Sequence, residues 1–172
     1  QLLGYEIPFL LALFGPAIPA SSLSLSKITA WQQQNLAWGL WTQPIGFGVF
    51  VVGLLAELEL VPFDIPEAET EIVAGWSVEF TGRRLALIRL GKDIELVVAS
   101  ALIADLYLGG PQPIGVIPPI IAFLIKMFAA LLLLAYLKTL FARFRIDQVL
   151  GGMWKYLIPA AIIQFLLIKL IW

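Results

Sequence analysis

The chain has 172 residues, of which 60% are hydrophobic and only 13% charged, with a formal net charge of −1. A soluble domain carries about 25% charged residues, and a near-neutral balance gives no electrostatic footprint for nucleic acid. There is no Cys and no His, which removes disulfides, iron–sulfur ligation and ordinary zinc sites from this chain.

Apolar runs close to the ~20 residues that cross a bilayer recur along the sequence. They are continuous Leu/Ile/Val/Ala, without the period-two alternation of a transmembrane barrel. The expected fold class is therefore all-α, a multi-spanning helical membrane protein forming a single membrane domain over residues 1–172.

Five apolar segments follow in order. The first runs from Leu3 to Ile18 and carries Glu6 and Pro8, whose missing N–H loosens the helix. No basic n-region precedes it, so no cleavable signal peptide is expected. Trp31, Trp38 and Trp41 then surround a first outer loop, where an aromatic belt belongs. The second segment spans Leu40 to Ala56, the third Ile94 to Leu108, the fourth Ile114 to Leu137 and the fifth Trp154 to Trp172. Arg83, Arg84, Arg89 and Lys92 fall between the second and third, and Lys138, Arg143, Arg145 and Lys155 between the fourth and fifth. The positive-inside rule places both of these loops in the cytoplasm.

Ionisable residues inside or at the edges of apolar segments are costly, at least ~2.5 kcal/mol each at mid-membrane, and usually face the bundle interior or a wet cavity. Here they are Glu6, Glu57, Glu95, Asp105 and Lys126, with Asp93 beside them. Near a helix end the same residues can snorkel cheaply; Glu57, Glu95 and Asp105 admit that reading. Lys126 lies about a dozen residues into its segment, which favours an interior role.

The stretch ELELVPFDIPEAETEIVAGWSVE, Glu57 to Glu79, holds seven of the twelve acidic residues and no Lys or Arg. Pro62 and Pro66 forbid a regular helix across the intervening turn. After Pro66 a helix is expected, with Asp64 as a cap candidate and Glu67 and Glu71 on one face. First-turn acids suit the helix dipole, which accounts for Glu67 and Glu69 but leaves Glu57, Glu59 and Glu79. Carboxylates crowded in a partly dry site raise one another's proton affinity, as a proton relay requires. Arg83 and Arg84 are candidates to dock against these acids. Clustered carboxylates also suit Mg²⁺ or Ca²⁺, but the spacing matches no EF-hand, and no metal site is assigned.

AELELVPFDIPEAETEIVAGWSVEF resembles the loop of the membrane subunit that walls the quinone chamber of respiratory complex I, a subunit type shared with group 4 membrane-bound nickel–iron hydrogenases and their relatives. RFRIDQVLGGMWKYLIP, Arg143 to Pro159, is similar to a second signature before the last helix, and Tyr5-Glu6 and Leu108 to Gly110 also fit. The resemblance implies the C-terminal five helices of a longer, roughly eight-helix subunit. It makes residues 57–92 the cytoplasmic coupling loop between a soluble electron-transfer arm and the membrane. It implies a proton-pathway or coupling set of Glu6, Glu57, Glu59, Asp64, Glu67, Glu69, Glu71, Glu79, Asp93, Glu95, Asp105 and Lys126, and a loop-docking set of Arg83, Arg84, Arg143, Arg145 and Asp147. It implies no redox centre here: iron–sulfur clusters and nickel–iron belong to other subunits. The expected partners are hydrogenase-like large and small subunits, an iron–sulfur subunit, antiporter-like subunits and the lipid bilayer. Two departures matter. Leu60 stands where complex I members carry an Arg lining the quinone chamber, and Lys92 stands where a Glu is expected. These favour the hydrogenase-type, ferredoxin-linked branch, with a quinone-site subunit as the alternative.

Overall fold

The computed structural model describes residues 2–64, 79–113 and 117–171, and every regular element in it is helical. The elements are α1 (Leu2–Phe14), α2 (Leu25–Asn35), α3 (Gly39–Thr42), α4 (Pro44–Glu57), α5 (Arg83–Tyr107), α6 (Pro119–Leu140), α7 (Ile146–Gly152) and α8 (Ile158–Ile171). A π-helical turn, Met153–Leu157, joins the last two into one helical run, Ile146–Ile171. This run and α6 are long and apolar enough to cross a membrane, and α4 is a shorter apolar helix.

Prolines decide where several helices start, bend and stop. Pro44 and Pro119 occupy first-turn positions, where a missing N–H costs nothing. Pro159 would clash with the carbonyl four residues back, and the π-turn lies just ahead of it and widens the helix there. Pro16 cannot donate to the Ala12 carbonyl, and the freed oxygen accepts the Tyr107 hydroxyl at 2.7 Å. One missing backbone donor thus ties the end of α1 to the end of α5.

The core lies where α1, α4 and α5 meet. Phe9 stacks on Phe50 with centroids 5.3 Å apart, and Phe50 and Phe47 contact Tyr107 at 5.2 and 5.4 Å. Gly53 permits this approach, because a Cβ there would stand 2.9 Å from the Phe9 ring. On the outside, Ile120, Phe128, Leu132 and Tyr136 of α6 and Leu166 and Leu170 of α8 are exposed. Apolar surface facing outward is what a lipid or subunit contact requires.

The apolar segments expected from the sequence become helices with shifted ends. The largest shift is in α5, which starts at Arg83 rather than Ile94 and runs 25 residues, roughly 37 Å at 1.5 Å per residue. Its charged first half continues the helix, because Arg, Lys and Leu are good helix formers. Glu95 is consequently at the middle of a helix and not near its end.

Candidate functional site

Charge collects at two opposite ends of the bundle. The acidic end is built where α4 stops. Leu60 N–H bonds to the Leu55 carbonyl at 3.0 Å and Glu59 N–H to Ala56 at 3.3 Å, the two bonds of a Schellman cap. Glu59 takes the left-handed position with φ of 50°, and Leu60, the following residue, packs against the core. This turn aims Glu59 at α5, where Lys92 Nζ meets its Oε2 at 3.4 Å.

Glu57, Glu59, Glu6 and Glu95 form one electrostatic cluster, drawn from α4, its cap, α1 and α5. The Tyr5 hydroxyl, buried with the α1 backbone, lies within reach of the Glu57 carboxylate. Glu6, Glu57 and Glu95 are exposed. The Lys92–Glu59 pair stands between two crevices: about 330 Å³ bordered by Glu57, Gly91 and Glu95, and about 320 Å³ bordered by Asp64, Arg89, Asp93 and Lys138.

A clasp fixes the start of the acidic stretch. Arg143 Nη2 donates to Asp64 Oδ2 at 2.6 Å, Phe144 N–H donates to the Pro62 carbonyl at 3.1 Å, and the Phe63 and Phe144 rings meet edge to face at 6.2 Å. Three contacts of different chemistry therefore pin the chain leaving α4 to the linker before α7.

The opposite, lysine end is dry. Lys126 is 5% exposed; its Nζ donates to the Gly110 carbonyl at 2.9 Å, lies 4.9 Å from the Trp38 ring centre and interacts with Asp105. Trp38 in turn donates to Gln112 Oε1 at 3.0 Å. Gln32 donates to the Leu106 carbonyl at 2.6 Å, so α2 and α6 both cap backbone oxygens left over where α5 ends. Gly110 must be glycine: φ is +55° and a Cβ would lie 2.6 Å from Thr29. A cation beside a helix C-terminus also suits the dipole.

The remaining candidates are apart from both clusters. Glu79, Arg83 and Arg84 are exposed, and neither Arg forms an ion pair with a described acid. Arg145 and Asp147 are exposed at the start of α7. Glu67, Glu69, Glu71 and the helix expected after Pro66 lie outside the described residues. Among the described residues no three Asp, Glu, His or Cys side chains form a metal-binding group.

A family model for NADH dehydrogenase matches residues 1–169. The chain belongs to the NADH dehydrogenase family. Curated relatives include membrane-complex subunits of NADH-quinone oxidoreductase from Bacillus mycoides (strain KBAB4) and Bacillus cereus (strain B4264), each 38% identical over 99% of this chain. The chain spans about half the length of these relatives, 52% in both cases. A solved structure of the membrane-bound sulfane sulfur reductase (MBS), an archaeal respiratory membrane complex, is similar with a TM-score of 0.84 and 26% identity, over 97% of this chain and 56% of that one.

For this NADH dehydrogenase family member, sequence reasoning finds the acids but misses their supports. In the sequence Tyr5 stands out only as the neighbour of Glu6, and Gln32 and Gln112 look like ordinary loop polar residues. Buried amides in an otherwise apolar chain are a usable signal, since each needs a partner. Trp38, expected as an interfacial anchor, instead covers Lys126.

Proposed function

We propose that this chain is the non-catalytic coupling subunit of an ion-translocating respiratory membrane complex. It anchors the hydrophilic electron-transfer arm and couples ferredoxin-driven reduction of protons or of a sulfur compound to movement of H⁺ or Na⁺. In that reading α1, α4, α5, α6 and the α7–α8 run cross the cell membrane five times, with the acidic end in the cytoplasm. The loop over residues 57–92 meets the soluble arm, and iron–sulfur clusters and nickel–iron sit in the large, small and iron–sulfur subunits. Antiporter-like subunits extend the membrane part.

One observation carries the proposal: Glu6, Glu57, Glu59 and Glu95 are far apart in sequence but form a single cluster, opening on crevices beside the loop. Carboxylates so placed exchange protons cooperatively. The likeness to a sulfane sulfur reductase complex supports the ferredoxin-linked branch. So does the cavity beside Leu60, whose wall holds Glu59, Asp64, Arg89, Lys92, Asp93 and Lys138. Desolvating that many charges around an apolar quinone ring is unfavourable.

The second reading, a quinone-site subunit, is favoured by the 38% identity to NADH-quinone oxidoreductase subunits. The purified complex distinguishes them. Reduced ferredoxin is expected to drive hydrogen evolution or sulfur-compound reduction, and quinone reduction is expected to be absent. Quinone-dependent, inhibitor-sensitive turnover would sink the ferredoxin-linked branch. Glu57→Gln, in an intact complex, is expected to abolish coupled ion movement while leaving electron transfer measurable. Unchanged pumping would reduce the chain to an anchor.

A further inference from the structure

The crevice between α5, α6 and the start of the acidic stretch has features that the carboxylate cluster does not use. It measures about 320 Å³, within the ~300–1,000 Å³ range of small-molecule sites. Arg89 and Asp93 border it one helical turn apart on α5, Lys138 borders it from α6, and Asp64 closes the loop side. Arg89, Asp93 and Lys138 are exposed, and among the described residues none of them forms an ion pair. Asp64 commits Oδ2 to Arg143, while its Oδ1 is buried with no hydrogen-bond partner among the described residues. A buried carboxylate oxygen without a donor has lost its water and gained nothing in exchange. The wall therefore presents two cations without counter-ions and two acceptors without donors.

Its level along the bundle is equally specific. The charged half of α5 ends at Asp93, and the exposed apolar residues Ile94, Val97 and Val98 follow directly. The apolar face of α6, with Leu132 and Tyr136, ends at Lys138. Both helices change from apolar to charged at this cavity, which is the level of lipid headgroups in a bilayer.

We propose that this cavity binds the headgroup of an amine-bearing phospholipid, its phosphate held by Arg89 and Lys138 and its ammonium by Asp93 and Asp64 Oδ1. Arg is the best-matched side chain for phosphate, through its planar fork of donors, and Lys adds a point charge. The ammonium supplies the donor that Asp64 Oδ1 needs. A ligand that is only anionic would face Asp64 and Asp93 across the same cavity and be repelled. Val97, one turn beyond Asp93, gives an acyl chain an apolar surface to follow.

The test uses the intact complex, purified in detergent and stripped of loosely held lipid. Native mass spectrometry counts the retained phospholipid, and vesicles of phosphatidylethanolamine or phosphatidylglycerol supply it again. The wild type is expected to retain one phospholipid more than Arg89→Gln/Lys138→Gln, changes at exposed positions that leave the packing intact. Asp93→Asn is expected to weaken phosphatidylethanolamine about tenfold relative to phosphatidylglycerol. Millimolar inorganic phosphate is expected not to displace the lipid. Displacement by phosphate alone would make this a free-anion site and overturn the proposal. Equal lipid counts in wild type and double variant would overturn it too, as would loss of a soluble-arm subunit from the double variant with lipid retained.

Discussion

At the lysine end, Lys126 is 5% exposed, its ammonium held by a carbonyl at 2.9 Å and an indole face at 4.9 Å. At the acidic end, Lys92 and Glu59 keep 33% and 35% of their side chains exposed and meet at 3.4 Å. The sequence chemistry is similar in the two places: one lysine, one or more carboxylates, apolar helices around them. The difference lies in what satisfies the charge. Lys126 is neutralised by fixed protein groups, which can rearrange only by breaking the ends of α5 and α6. Around Lys92 water completes the coordination, so protonation and pairing can change at small cost. Between them the layer of Phe9, Phe50, Tyr107 and Phe47 offers no polar side chain except the Tyr107 hydroxyl, already bonded to Ala12. A dry end suits a structural tie, and a wet end suits a relay.

The contrast between the ends is tested most severely at Lys126. Lys126→Met leaves Asp105 without its partner in a dry site, and the expected loss is about 3–5 kcal/mol, read as a lowered melting temperature of the purified complex. Combining it with Asp105→Asn is expected to restore more than half of that loss; no recovery would mean the two residues are not a unit. The layer between the ends comes next. Gly53→Leu drives a side chain into the Phe9 ring, and overpacking of this kind costs about 1–3 kcal/mol, measured by the same melts. At the acidic end, breaking the clasp with Arg143→Ala should cost about 1.5 kcal/mol. A double-mutant cycle with Asp64→Asn isolates the pairwise part, and a coupling near zero would show that the aromatic contact alone holds the linker. The smallest stability effect is expected for Lys92→Gln, under about 1 kcal/mol for so exposed a pair, together with a clear drop in ion movement per electron transferred. Were Lys92→Gln to unfold the subunit while Lys126→Met left it unchanged, the assignment of a structural end and a relay end would be reversed.

The residues differ in how much of their role the sequence discloses. The helical class follows from continuous apolar runs without alternation. The interior role of Lys126 follows from its depth in an apolar segment, which leaves a lysine no route to water. Glu95 is misplaced near a helix end by hydropathy alone, because a boundary drawn that way misses a helix that continues through charged residues. Leu60 illustrates a subtler limit. As a departure from a family pattern it suggests the loss of a quinone-side Arg; in the folded chain it also fills the apolar position after a Schellman cap, a role visible only once Glu59 is seen in the left-handed region.

Local constraints are settled by the order of residues alone. These are the apolar lengths, the proline positions that end or widen helices, and the concentration of seven acids in one stretch. They are local because hydropathy, backbone sterics and missing N–H groups act within a turn or two. Tertiary structure alone decides which carboxylates share a site, which of two lysines is dry, and that Arg143 holds Asp64 across 79 residues. Those outcomes depend on how α1, α4, α5 and α6 cross. The crossing is set by close contacts such as Phe9 over Gly53 and Tyr107 under Ala12, between residues that no local rule connects.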